Sequence, residues 1–208
     1  MRGMVSLMAV VVCLFLALVT GCAVNTVREV VAKGSVESAR PWGRTVLLFQ
    51  VAPHASCDES RKRIDEIAGL VGQALEAVPG VEQRAPETLL ARIANRNPAG
   101  VSDGELAAAA LDAGVDTVVL VQVLAYGGEL TISLLPPYWA TGTDFAFHAR
   151  VIDARTGALY LDAHRGRKQG GAFTAHGARE LGEDFKADLE SVFTAAAKAK
   201  PVNTGSAS

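Results

Sequence analysis

The sequence predicts an α/β domain: a mixed sheet built from βαβ units, a C-terminal β-hairpin, and helices packed on the sheet. Three stretches carry that prediction. "TVLLFQV" (Thr45 to Val51) is a short continuous apolar run, the mark of a strand buried on both faces. "SDGELAAAALDAG" followed by "VDTVVLVQVLAY" reads as a capped helix leading into a central strand. "DFAFHARVI" and "ALYLDAHR" alternate apolar and polar residues on either side of "DARTG", the pattern of a hairpin.

After the first strand, "APHASCDE" reads as loop. From Glu59 to Val78, Ile64, Ile67, Val71, Leu75 and Val78 fall on one helical face, and Pro79-Gly80 stops the helix. "VEQR" (Val81 to Arg84) is a short strand. Pro86 suits the first turn of a helix carrying Leu89, Leu90 and Ile93. Ser102 is predicted to cap the next helix, with Glu105 reaching back to complete a capping box and Gly114 as the C-terminal stop. Strand, helix, strand, helix, helix, strand requires right-handed crossovers and a partly parallel sheet. Beyond Gly127-Gly128, Leu130, Ile132 and Leu134 alternate with Thr131 and Ser133, a half-exposed strand. "PPYWATG" (Pro136 to Gly142) reads as a loop bearing two large aromatics. In the hairpin, pairing Ile152 with Ala158 puts Phe145, Phe147, Ala149 and Val151 on one apolar face with Leu159, Leu161 and Ala163. Asp153 and a left-handed Gly157 fit the turn. Leu181, Phe185, Leu189, Val192 and Phe193 define a last amphipathic helix over 177–198, and residues 199–208 form a frayed tail.

Composition narrows the function classes. Half the chain is apolar and the formal net charge is −2. No basic patch is present, which argues against a nucleic-acid partner. Residues 4–19 hold a single polar residue, Ser6, behind a positive start at Arg2. That is the layout of an export signal, and it is marginal for a spanning helix, which needs about 20 apolar residues. "VTGC" (Val19, Thr20, Gly21, Cys22) closes it and resembles the lipobox of bacterial lipoproteins. The resemblance implies that residues 1–21 are removed and that the Cys22 thiol and new amine are acylated. Two or three chains make such attachment durable. The alternative is an ordinary thiol after a cleaved signal. Ala23 stands where an Asp tends to retain such proteins at the inner membrane, which implies the outer membrane and its periplasmic face. Cys13 leaves with the signal, so Cys57 has no cysteine to pair with. Residues 22–44 read as a lipidated start and tether, with one helical turn around "VREVVAK". A single domain is then expected over 45–198.

"AAAALDAGVDTVVLVQVLAYG" followed by "HARVIDARTGALYLDAHR" is similar to a lipoprotein superfamily that includes curli-secretion lipoproteins and lipoprotein activators of penicillin-binding proteins. The resemblance spans roughly residues 45–193. It implies an α/β sandwich with a non-catalytic role in assembling or regulating an envelope machine for secretion, transport or cell-wall work. Two departures limit it. Spanning strands in a secretion pore need about 9–11 alternating residues, and only Leu130 to Leu135 alternates outside the core. The activators use a long Pro-rich tether, whereas the tether here is short and Pro41 is its only proline.

Chemistry-bearing candidates are few. His148 and Asp162 face each other in the expected register and form a weak alternative site, with Arg150 opposite Tyr160. Such a pair can orient a base, but it lies on the polar face without a placed nucleophile, and a solvated cross-strand pair is the plainer reading. "HASCD" (His54 to Asp58) offers three donor types, with only scattered His164 and His176 to complete a metal site. No metal and no cofactor are expected, and no enzyme. Tyr138 and Trp139 are a candidate partner contact or membrane contact, against the alternative of a lid folded on the core. The expected partners are the membrane, through acyl chains on Cys22, and another envelope protein, with self-association left open. An anchored hydrolase and a small-ligand-binding lipoprotein are the competing classes.

Overall fold

The computed structural model describes residues 24–31, 42–57, 61–134, 137–169 and 177–198. Continuous apolar runs and alternating segments become strands that join one sheet, and the amphipathic stretches become helices on both of its faces. The strands are β1 (Val24–Val31), β2 (Gly43–Cys57), β3 (Val81–Arg84), β4 (Thr117–Leu134), β5 (Pro137–Asp153) and β6 (Leu159–Gln169). The helices are α1 (Arg61–Glu76), α2 (Glu87–Arg92), α3 (Asp103–Asp112) and α4 (Ala178–Lys198), with a 3₁₀ turn at Pro98–Gly100.

The sheet order is β1-β6-β5-β4-β2-β3. The β2–β3 and β2–β4 pairs are parallel, while β4, β5, β6 and β1 pair antiparallel in succession. This is the mixed α/β sheet with βαβ units and a C-terminal hairpin that the sequence predicts. β4 is buried on both faces. Val119, Val121 and Val123 pack under α1 and α4, with Phe147, Phe185, Leu189 and Phe193 in the same core. Val118 and Leu120 face α2 and α3 with Leu89, Leu106 and Ile152. The Phe185 ring meets Tyr126, Phe145 and Phe147 edge-on, at centroid distances of 5.2, 5.6 and 5.6 Å.

Local chemistry explains the element ends. The Ser102 hydroxyl accepts from the Glu105 amide at 3.3 Å, as expected of the cap. Glu105 does not reach back, however: its carboxylate is engaged by Arg96 instead. Gly114 (φ +71°) and Gly157 (φ +68°) are left-handed, where a Cβ would strain the backbone. Asp153 Oδ1 accepts from the amides of Arg155 (2.8 Å) and Thr156 (3.3 Å), and its Oδ2 accepts from the Tyr160 hydroxyl at 2.7 Å. Asp116, in "AGVD", accepts from the Arg44 amide and Nε at 3.0 Å each and from Arg44 Nη2 at 3.1 Å. These hydrogen bonds from Arg44 hold the Asp116 carboxyl below its ordinary value and pin the start of β2 to the start of β4.

Several expectations are corrected. Residues 24–31 form an edge strand on β6 and not a helical turn in a tether, because four valines and a threonine in eight residues favour a pleated surface. Trp42, expected in the tether, is buried with its ring 6.0 Å from Phe193. "APHASC" is part of β2 and not a loop; its register on β4 shifts between Val51 and Ser56, around Pro53, which cannot donate to a ladder. The hairpin register also differs. Ile152 pairs with Leu159 and not Ala158, with an irregularity between Val151 and Ile152. That extra residue lets Asp153 build its turn while Val151, Leu161 and Ala163 keep the core face.

Candidate functional site

The largest departure from a sheet covered by helices is a two-stranded arm. β4 and β5 pair without interruption from Ala125↔Ala146 out to Leu134↔Pro137. "PPYWATG" is therefore not the expected loop: from Pro137 onward it is strand, and Tyr138 and Trp139 sit in β5 opposite Ser133 and Ile132. The seven residues from Gly128 to Leu134 carry the arm about 23 Å at the usual strand rise.

The arm continues the apolar core face. Counting in steps of two from buried Tyr126, which pairs with Phe145, the same face holds Gly128↔Thr143, Leu130↔Thr141, Ile132↔Trp139 and Leu134↔Pro137. Tyr126 is fully buried, and its burial raises the phenol above its ordinary value. Further out the cover ends. Leu130 is 62% exposed, Ile132 66%, Leu134 83% and Trp139 45%. Trp139 is thus partly exposed on the same face as Leu130, Ile132 and Leu134.

The register also shows where the arm lies relative to the chain start. Val24 of β1 pairs with Lys168, and Lys168 pairs with Asp144 at the root of the arm. β1 therefore enters the sheet at the end from which the arm leaves. Cys22 and the other lipobox residues, Val19, Thr20 and Gly21, lie outside the described residues. In the sequence Cys22 stands two residues before Val24.

The opposite sheet face carries the polar candidates, with the side chains of Arg150, His148 and Asp162 15%, 20% and 37% exposed. Gln122 pairs with His148, and His148 pairs with His164, in one row across the sheet. Arg150 pairs with Asp162, where the expected partner was Tyr160, and donates from Nη1 to Asp103 Oδ1 at 2.5 Å. The predicted His148–Asp162 pair forms, but diagonally: Nε2 to Oδ1 is 2.5 Å. The imidazoles of His148 and His164 stack at 3.8 Å with a 12° tilt. Sequence reasoning missed the stack, because a turn one residue longer than expected and the one-residue irregularity at Tyr160 together shift the register by two and bring His164 opposite His148. Among the described residues, His148, Asp162 and His164 form the one group of metal-type donors whose ligand atoms converge. The side chains of His54 and Cys57 and all of Asp58 and His176 lie outside the described set.

No family model matches the sequence, and no curated protein matches it. Solved structures do. A PelC dodecamer from Paraburkholderia phytofirmans is 15% identical, covering 85% of this chain and 99% of that one, with a TM-score of 0.46. Lipoprotein GNA1162 from Neisseria meningitidis is 17% identical over 72% of this chain and 97% of its own, TM-score 0.44. Protein XCC0632 from Xanthomonas campestris is 12% identical over 83% and 90%, TM-score 0.37. Bacterial lipoproteins are thus among the structures this chain is similar to, at a level that carries no functional argument.

Proposed function

We propose that the chain is a lipid-anchored protein on the periplasmic face of the outer membrane, catalysing nothing and binding other envelope proteins as an assembly or regulatory component. The lipobox-like "VTGC" at the close of an export signal supports the anchor. One structural observation carries the rest: the apolar arm leaves the sheet at the end where β1 enters from Cys22. A lipid on Cys22 would then direct Leu130, Ile132, Leu134 and Trp139 toward the same bilayer. The arm makes a second, weaker attachment there. The arm lies along the interface, where its backbone polar groups keep access to water. Two attachments fix the orientation of the helical body, which faces the periplasm and its protein partners.

Cys22→Ser protein, unable to take the lipid, tests both parts. Mass spectrometry of the natural protein should find acyl mass on residue 22, and the serine variant should keep a weak affinity for vesicles. Processed protein without acyl mass would end the anchor reading. An anchored hydrolase is the second reading, resting on the 2.5 Å His148–Asp162 contact. The row neighbours of His148 are Gln122 and His164, neither of which is a nucleophile of that kind.

A further inference from the structure

We infer that His148, Asp162 and His164 form a binding site for a late first-row divalent metal ion of the zinc class, set on the polar face of the sheet where β5 and β6 pair. The residues come from two adjacent strands. His148 and His164 are directly opposed in the register, and Asp162 precedes His164 by two residues, so all three project from one face.

One observation points to an ion, and two more set what its binding requires. One nitrogen of each imidazole and one oxygen of the carboxylate lie within 4.8 Å of one another. The two rings are stacked nearly parallel at 3.8 Å, and because imidazole lone pairs lie in the ring plane, at least one ring has to rotate out of the stack for both nitrogens to reach a common ion. The Asp162 carboxylate is already at the His148 Nε2, 2.5 Å away in a hydrogen bond that an ion would replace.

The fit to the ion is direct. Zinc sits about 2.0–2.2 Å from imidazole nitrogen and carboxylate oxygen, so tetrahedral ligand atoms are about 3.3 Å apart. Closing the observed triangle takes side-chain shifts of about 1 Å together with rotation of an imidazole out of the stack. The Asp162 oxygen has to move slightly away from Nε2, and the ring proton now donated to it has to leave as the nitrogen becomes a ligand. Two imidazoles and one carboxylate suit zinc, cobalt, nickel or copper far better than magnesium or calcium, which take oxygen shells.

Neighbouring charge does not forbid the ion. Arg150 is the closest cation on the strand, and it is engaged with Asp103 across the sheet face. The register places Arg28 of β1 opposite His164. His164 is exposed and the other two are half-buried, so one side of the ion stays open to water. The site would clamp β5 to β6 and keep a coordination position free, as three-ligand zinc sites do.

The test uses the full chain, purified in detergent and stripped with a chelator. Zinc is titrated against a chromophoric chelator of micromolar affinity, and cobalt is added separately while its visible bands are recorded. The site requires one equivalent of zinc per chain with a dissociation constant of 10 μM or tighter, about the least a three-ligand site should give. Cobalt should show the intense bands of a low-coordinate nitrogen-ligated ion. His164→Gln and Asp162→Asn should each weaken zinc at least tenfold, with unchanged far-ultraviolet circular dichroism. Wild-type protein that takes up no stoichiometric zinc at 100 μM would overturn the site. So would stoichiometric binding that survives both substitutions, which would place the ion elsewhere, for example at His54 and Cys57. Vesicle affinity is not expected to follow zinc, so failure here leaves the membrane reading standing.

Discussion

Replacing Leu130, Ile132 and Leu134 together by serine is the sharpest test of the arm. The three side chains are 62%, 66% and 83% exposed, so little native packing is lost. Fully burying such an aliphatic side chain is worth about 2 kcal/mol, and scaling by the exposed fractions gives about 4 kcal/mol of membrane attachment in all. At 1.4 kcal/mol per tenfold, that is a fall of two to three orders of magnitude in vesicle affinity. The measurement is partitioning of Cys22→Ser protein onto anionic vesicles, with and without the triple change, followed by tryptophan fluorescence. Trp42 is 4% exposed, while Trp139 is 45% exposed, so aqueous quenchers report mainly on Trp139. The parent should show Trp139 shielded by vesicles, and the triple variant should not. Its thermal midpoint should stay close to the parent's, because exposed substitutions usually cost under about 0.5 kcal/mol each. A triple variant that is equally stable and binds vesicles within threefold of the parent would refute the reasoning. Shielding of Trp139 by a co-purifying protein but not by vesicles would transfer the arm to a protein partner.

Two further outcomes test the body of the fold. Phe185→Ala removes a ring that is 0% exposed and edge-on to three aromatics, so urea unfolding should show a loss of about 3–5 kcal/mol with an unchanged slope. Asp116 is held below its ordinary value of 3.8 by hydrogen bonds from Arg44. Being depressed, it contributes stability that is present above that value and lost as pH falls through its lower folded value. Asp116→Asn should therefore destabilise the protein at pH 6, and the gap to wild type should narrow steadily below pH 4 in denaturant titrations.

Much of the fold was legible in the sequence, for identifiable reasons. The Leu181, Phe185, Leu189, Val192, Phe193 spacing fixed a helix face, and all five are buried. Ser102, Gly114 and Gly157 announced an N-cap and two left-handed stops through their own chemistry. Alternation named the core face of Phe145, Phe147, Ala149, Val151, Leu161 and Ala163 correctly, because beyond the irregularity the register is off by two and a shift of two keeps the faces, whereas Leu159 packs in the other core with Ile152. The site was less legible. Tyr138 and Trp139 were singled out, yet the prolines before them suggested a loop. Only pairing with residues 132–133 of β4 makes the segment a strand.

What the sequence alone determined is whatever depends on neighbours within a few residues: element type, caps, turn glycines, apolar faces and the lipobox-like run before Cys22. Tertiary structure decided what depends on which strand lies beside which. It turned residues 24–31 from tether into edge strand and brought His164 onto His148 through a two-residue shift of the hairpin register. It also aimed the apolar arm toward the end where β1 enters. Long-range pairing satisfies backbone hydrogen bonds whose partners are far apart in the chain, so no local pattern encodes them.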